Sequence, residues 1–494
     1  MNNLPRIAII AALVVADSSA ATAQADSATW WRETARKDLA AAREIMNTRF
    51  ITALNSPGPS WTRTMDDATR DAESDVQRVR DAASYQSVLK RFIGAFDDAH
   101  VRVRFSATRT VPQEWAGFLV RYQGNHFTVV ESERPEVKVG SVVTGCDGRP
   151  IDQVLAEIMP YEQARRHLEL ESSRSTLARI LFVDAVGSLR PRYKRCRISG
   201  SDIALSWQPI AAEHLAKLNA AHGSYSNNEV SVANFGPNNA WVRMGTFGPS
   251  GESARQFARA IEQAASLRDK NAIVFDVRGN GGGSYNWFMG FIDALYGEPY
   301  ADYYARARLQ FVNVMSEPPS AGRGAGGGRG TGGAGRGAAP AGDVPRTPPD
   351  RNLNVASIQV TTRPGANGTT LRLIAPDSTT PVGAAPPNPV KARVFVLTDN
   401  GCGSACISFV DEMRRFPGVL QIGRDTYVDS RPGSPANYDL PSGEASISAP
   451  SMVREVRQRG DNFAWKPEIY FDGDIANTDA VREWILNVVL KSPR

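Results

Sequence analysis

Two short runs carry residue types suited to acyl transfer. In Thr398-Asp399-Asn400-Gly401-Cys402-Gly403-Ser404-Ala405-Cys406, a serine preceded by glycines stands between an apolar strand and a helix-forming run. A hydroxyl at the first turn of a helix sits over the positive end of the backbone dipole, which favours an anionic oxygen. Serine is also a common helix N-cap, so this run by itself leaves cap and nucleophile open. The second run, Asp276-Val277-Arg278-Gly279-Asn280-Gly281-Gly282-Gly283, follows another apolar strand. Consecutive glycines there remove side chains where backbone must approach another group closely, and N–H groups exposed in such a turn can face a developing negative charge. Glycine turns also cradle phosphates, but the lysine of a phosphate loop is missing.

The elements that hold these runs alternate strand and helix. Ala240–Met244 reads as a strand, 253–265 as a helix and Ala272–Phe275 as a buried strand; later come a strand over 393–397, a helix over 404–415 and a strand over 419–422. Such alternation requires crossover connections and hence an α/β core with parallel pairing. Residues 316–350 interrupt it with Gly, Ala, Arg and Pro, and have almost no large apolar side chain to offset ordering entropy. They are expected to form a disordered surface insertion rather than an RNA-binding tract. Upstream, 28–55 and 66–96 show helical spacing of apolar residues, while 112–209 is mostly short alternating segments with one helical stretch near 161–181. Within it, Val139-Gly140-Ser141-Val142-Val143 and Asp147-Gly148-Arg149-Pro150-Ile151 resemble the second half of a PDZ-like domain, in which an extended peptide adds as a strand to a sheet edge. Asp-Gly turns are common in their own right.

At 494 residues the chain exceeds a single core, and roughly 150 residues per domain suggests about three. The formal charge of +5, from 57 basic and 52 acidic residues spread along the chain, gives no indication of nucleic-acid or acidic-membrane binding. Arg6, the apolar run from Ile7 to Ala16 and the small residues up to Ala25 have the pattern of a cleavable secretory signal. The run is about half of the roughly 20 residues that span a bilayer, so a periplasmic or secreted protein without stable membrane insertion is expected. Cys146, Cys196, Cys402 and Cys406 suit an oxidising compartment but not a zinc site; their pairing stays open.

Taken together, Asp-x-Arg-x-Asn-x-Gly-Gly after one strand and a glycine-flanked Ser-Ala opening a helix about 120 residues later resemble the C-terminal processing (tail-specific) peptidases and the catalytic core of tricorn protease. The likeness runs from about Asp66 to the end and includes the order of the parts. It implies a crotonase-like (ClpP-like) ββα core, with an N-terminal helical region and an inserted PDZ-like β-rich domain. The expected divisions are 1–25 signal, 26–108 helical region, 109–215 PDZ-like domain and 225–494 peptidase core. By position, Ser404 matches the nucleophile, and the amides of Gly282 and Ala405 match the oxyanion hole. Asp276, Arg278 and Asn280 would hold the glycine turn in shape.

The general base departs from part of that family. Where processing peptidases carry a lysine some 25 residues after the nucleophile, this chain has Asp429, and no lysine occurs between Ser404 and Lys466. A carboxylate near pKa 4 is a poor substitute for a neutral amine. Phe96-Asp97-Asp98-Ala99-His100-Val101-Arg102-Val103 is similar to the motif that supplies the histidine of tricorn-like sites, which implies His100 as general base; an imidazole near pKa 6.5 suits that work. The serine that precedes this histidine in tricorn-like sites is Ala99 here. Asp461-Asn462-Phe463-Ala464-Trp465-Lys466-Pro467-Glu468 has the spacing of the family's Glu-Asn-x-Gly-Val-x-Pro-Asp segment, making Asp461 a candidate orienting acid, with Glu468 as the other acid there and turn formation as Asp461's ordinary alternative. The resemblance implies a serine peptidase that takes a peptide or protein substrate, needs no metal or organic cofactor, and is a possible homo-oligomer. The alternative is a peptide-binding protein of the same fold that has lost catalysis.

Overall fold

The computed structural model describes residues 27–108, 110–162, 167–211, 213–214, 216, 228–305, 313–316, 358–376, 384–454, 457 and 459–492. The expected signal segment and the expected disordered insertion, apart from Ser316, lie outside the described residues.

Four helices open the described chain: α1 (Ala28–Arg49), α2 (Ile51–Asn55), α3 (Pro59–Val76) and α4 (Ala82–Gly94). Ser27 caps α1 by accepting from the Trp30 N–H, and α4 starts with a reciprocal box between Asp81 and Ser84. Their apolar faces enclose Leu39, Met46, Val88 and Phe92. The chain then passes Asp98 and His100 into β1 (Arg102–Phe105).

A β-rich segment follows: β2 (Gln113–Trp115), β3 (Phe118–Gln123), β4 (His126–Ser132), β5 (Val142–Cys146), β6 (Arg149–Pro150), α5 (Ile151–Ile158), α6 (Glu171–Ile180), β7 (Val183–Ala185), β8 (Arg195–Ile198), β9 (Ser201–Ala204) and β10 (Gln208–Pro209). Its main sheet runs β3-β4-β5-β8-β9, with β3 at one edge. Cys146 and Cys196 face each other across β5 and β8 and form a disulfide, so that pairing is present.

The α/β core consists of β11 (Val230–Phe235), β12 (Asn239–Met244), α7 (Glu252–Gln263), β13 (Ala272–Asp276), α8 (Tyr285–Tyr296), α9 (Glu298–Ala305), β14 (Asn313–Ser316), β15 (Ile358–Pro364), β16 (Thr370–Pro376), β17 (Arg393–Thr398), α10 (Ala405–Met413), β18 (Leu420–Gly423), β19 (Pro432–Asp439), β20 (Ala445–Arg454), β21 (Ile469–Tyr470) and α11 (Thr478–Asn487). One sheet runs β11-β12-β13-β17-β18-β21, parallel except for the β11–β12 pair. Strand alternation divides it between two apolar layers. Ile273 and Phe275 join Phe257, Phe288 and Phe409 from α7, α8 and α10, while Val274 and Phe395 join Val481 and Ile485 from α11 on the other face. Helices on both faces explain why these strands read as continuous apolar runs.

A different sheet brings the distant preamble to this core. β1 pairs antiparallel with β20 from Arg102↔Ser448 to Phe105↔Ala445. Nearby, the buried Asp38 accepts from the Tyr85 hydroxyl at 2.6 Å and from Ser442 at the β19–β20 turn. The β-rich segment meets the core through Arg424, which reaches Glu171 at 2.9 Å and the carbonyls of Asp472 and Gly473.

Beside that contact, burial and the Glu171 carboxylate push the Asp425 carboxyl up to about 6. The folded state therefore holds this proton more tightly than the unfolded chain, whose value is near 4. Ionised Asp425 costs stability above pH 6, and the cost disappears as pH falls below about 4. Asp425→Asn should raise the unfolding free energy measured by urea titration at pH 7.5 by roughly 1 kcal/mol after discounting for partial exposure, with most of the gain gone at pH 4.5. An equal gain at both pH values would refute the assignment.

Candidate active site

Ser404 is the residue just before α10, with φ +52° and ψ −118°, a conformation that non-glycine residues seldom adopt. Its side chain makes no N-capping bond. The hydroxyl instead lies 3.1 Å from His100 Nε2, although 304 residues separate the two. A strained backbone that turns a serine away from its ordinary capping role and toward an imidazole is the kind of outlier found at functional sites.

The loop under Ser404 is tied to the glycine turn. Asp399, buried, accepts from the N–H groups of Gly279 at 2.7 Å and Gly401 at 2.9 Å. Burial raises its carboxyl above the usual range, with those two donors acting in the opposite direction. Gly403 N–H donates to the Asn280 carbonyl at 3.0 Å. Cys402 and Cys406, both buried, form a disulfide across the serine, closing the second pairing that the sequence left open.

The glycine turn is held from below, as the resemblance implies for Asp276, Arg278 and Asn280. Arg278 meets Asp276 with two bonds of 2.8 Å, and Arg243 reaches the same carboxylate at 3.2 Å. Burial opposes ionisation of Asp276, but the two guanidiniums outweigh it and hold the carboxyl below its ordinary value. Removing one partner from a buried pair like this leaves an uncompensated charge. Asn280 donates to the Met244 carbonyl and accepts from the Gly282 N–H, each at 2.9 Å. Gly282 has φ +107°, and a Cβ there would stand 2.8 Å from the Ser404 Cβ, so only glycine lets the turn come this close. Its N–H, however, is occupied by Asn280 rather than free for an oxyanion. Gly281 and Gly283, together with Ala405, line the cavity over the serine. Ala405 opens α10, where an N–H has no acceptor within its own helix.

The imidazole faces a carboxylate other than the expected one. Asp98 Oδ1 is 3.5 Å from His100 Nδ1, slightly long for a formed hydrogen bond. That carboxylate is fixed by the His100 N–H at 2.7 Å and the Ser430 hydroxyl at 2.5 Å. Asp461 is not brought to the ring: it accepts from Arg431 at 2.7 and 3.1 Å and lies 3.2 Å from Arg457. Glu468 is likewise committed, to Arg414 at 2.7 Å and the Gln421 N–H. The Asp461-Asn462 segment does reach the histidine loop, but through Asn462, which donates to Asp97 at 2.9 Å. Asp98 carried a signal in the sequence, since it stands two residues from His100, but short carboxylates before a strand are common turn residues.

Asp429, at the position of the family lysine, is buried between Arg457 at 2.7 Å and Arg459 at 2.8 Å. Burial pushes its carboxyl up, but those guanidiniums, with a smaller effect from His100, hold it below the usual range. It remains an anion near the imidazole and cannot serve as a base at neutral pH. His100 and Ser404 open into a cavity of ≈ 770 Å³ that also reaches β3, α6 and the start of β19.

Residues 238–445 match the model of peptidase family S41, a span containing both the glycine turn and the serine. Over that stretch the chain is similar to the S41 peptidases. It is a serine-type peptidase with a mixed α/β architecture. A structure of mature CPAF is 14% identical, with 93% of this chain and 97% of that chain covered and a TM-score of 0.55. A structure of mature CPAF complexed with lactacystin is 16% identical, with 94% and 100% covered and a TM-score of 0.54. At these identities the likeness concerns the fold alone. No curated protein matches the chain. Among the described residues, no helix is long and apolar enough to cross a membrane.

Proposed function

We propose that this serine-type peptidase hydrolyses peptide bonds through an acyl-enzyme, with Ser404 as nucleophile and His100, in place of a lysine, as general base. The 3.1 Å approach of Ser404 Oγ to His100 Nε2 carries this reading. For Nε2 to accept the hydroxyl proton, the neutral ring must bear its own proton on Nδ1, the nitrogen that faces Asp98. As Oγ attacks the carbonyl carbon, the proton passes to Nε2 and positive charge appears on the ring beside Asp98 and Asp429. The carbonyl oxygen, now negative, is received by the Ala405 N–H and an N–H of the glycine turn. Gly282 serves there once it leaves Asn280; Gly283, on the cavity wall, is the other donor within the turn. His100 then protonates the leaving amine and activates the water that releases the acyl group.

In this reading 225–494 is a crotonase-like core, 26–108 a helical region that delivers His100, and 109–215 a PDZ-like domain. Support for the last is the edge position of β3 beside α6, with both facing the cavity. An extended peptide adding to that edge would run toward Ser404. The apolar leader at 7–16 and the two disulfides support export to an oxidising compartment.

Incubation with a fluorophosphonate probe tests the nucleophile directly, because only an activated serine is phosphonylated. The expected adduct maps to Ser404. A folded wild-type protein that takes up no probe would favour the catalytically silent peptide binder. The orienting acid is tested separately: Asp98→Asn should lower kcat by about 10- to 100-fold, less than in a site whose acid is already hydrogen-bonded to the ring. Asp461→Asn should change kcat by less than about 3-fold, and the reverse order of effects would return the role to Asp461.

A further inference from the structure

The cavity over Ser404 is asymmetric in charge. Seven arginine and four carboxylate side chains line it. Each of the four carboxylates already has partners: Glu171 has Arg424, Asp474 has Arg121, Asp429 has Arg457 and Arg459, and Asp399 has two backbone N–H groups. Arg179 on α6 has no ion pair or hydrogen bond among the described residues. Burial is the one influence on its guanidinium, and it lowers the pKa. A half-buried cation with no anion nearby carries a desolvation cost that its own protein does not offset. Arg104, exposed on the same cavity, also lacks an acidic partner among the described residues.

The neighbourhood of Arg179 indicates what kind of molecule could supply the anion. Tyr122 and Gln123 of β3, and Ser175 and Thr176 of α6, line the same cavity. β3 pairs only with β4 among the described residues, so its outer edge offers unpaired N–H and C=O groups to an extended chain. A peptide on that edge projects alternate side chains to the two faces, and one of them can meet the helix that carries Arg179. A planar guanidinium in such a place recognises a carboxylate with two parallel hydrogen bonds.

We infer that Arg179 determines specificity, selecting peptides with an aspartate or glutamate side chain that docks on its guanidinium while their backbone lies along β3 on the way to Ser404. That the ligand is a peptide rests on the proposed function; the uncompensated arginine does not. Binding is therefore measured on Ser404→Ala protein, where turnover plays no part. The probes are amide-capped decapeptides of Ala, Val and Ser with one Glu at each position in turn, against the same set with Gln. Equilibrium dialysis read by mass spectrometry should show a Glu peptide of one register bound about 10-fold more tightly than its Gln twin. That ratio should fall to near one with Arg179→Gln and be largely kept by Arg179→Lys. The inference is overturned by equal retention of Glu and Gln peptides, by no retention of either set, or by a ratio that survives Arg179→Gln. It is also overturned if acid preference appears only when the probes have free C-termini, since the terminal carboxylate would then be what is read. Cleavage of Gln peptides by the wild-type protein without any Glu preference would remove the role of Arg179 and leave the peptidase reading standing.

Discussion

Replacing Ser404 with alanine is expected to lower kcat/KM for peptide hydrolysis by about six orders of magnitude, toward the residual rate that binding and oxyanion stabilisation alone can sustain. The size of the loss follows from what the hydroxyl does: without Oγ no acyl-enzyme forms, and water must attack directly from a site not shaped to hold it. The fold should survive, because this side chain caps nothing and its only described hydrogen bond is to His100. Discontinuous assays with a long-lived peptide substrate, alongside thermal melting of the same preparations, measure both quantities. Residual activity above about a hundredth of wild type, in protein freed of contaminating peptidase, would show that Ser404 is not the nucleophile.

His100→Gln is expected to reduce kcat by about four orders of magnitude or more while leaving KM within a few-fold. Glutamine preserves polarity and much of the volume but cannot take the proton from Oγ. No described group is ready to replace it: Asp429 is engaged by two arginines, and the nearest lysine after Ser404 in sequence is Lys466. Because the two side chains act as a unit, Ser404→Ala/His100→Gln should be scarcely slower than Ser404→Ala alone. Fluorophosphonate labelling of His100→Gln should slow by a comparable factor. Loss of only a few-fold would mean that another base serves the serine, and additive effects in the double variant would mean that the two residues do not share a step.

The sequence by itself determined the parts whose physics is local. Apolar runs bounded by turn residues gave the strands β12, β13 and β17, because a strand with helices on both faces must be apolar throughout. The glycine turn was also legible, because Gly282 combines a positive φ with a close approach that only glycine allows, whereas the serine at the head of α10 was legible by itself only as a cap or a nucleophile. The holding role of the buried Asp276–Arg278 pair came from the family resemblance, and the two 2.8 Å bonds between them fit it. Identifying His100 required the family motif, since a lone histidine before a strand has no periodicity to mark it.

Only the tertiary structure decided what meets that ring. The pairing of β1 with β20 swings the preamble of the chain against its last third, and it does so through backbone ladder bonds that no side-chain pattern advertises. Once there, the choice between Asp98 and Asp461 depends on side-chain direction and competing cations. Asp461 had the matching spacing, but Arg431, thirty residues away, and Arg457, four residues before it and outside the matched segment, hold its carboxylate elsewhere. The diversion of the Gly282 N–H to Asn280 is of the same kind, and so are the two disulfides, whose pairing depends on Cα positions that spacing does not give. Short-range conformational preference is written residue by residue; electrostatic partnership is set by distances in space, and these appear only after the chain has closed on itself.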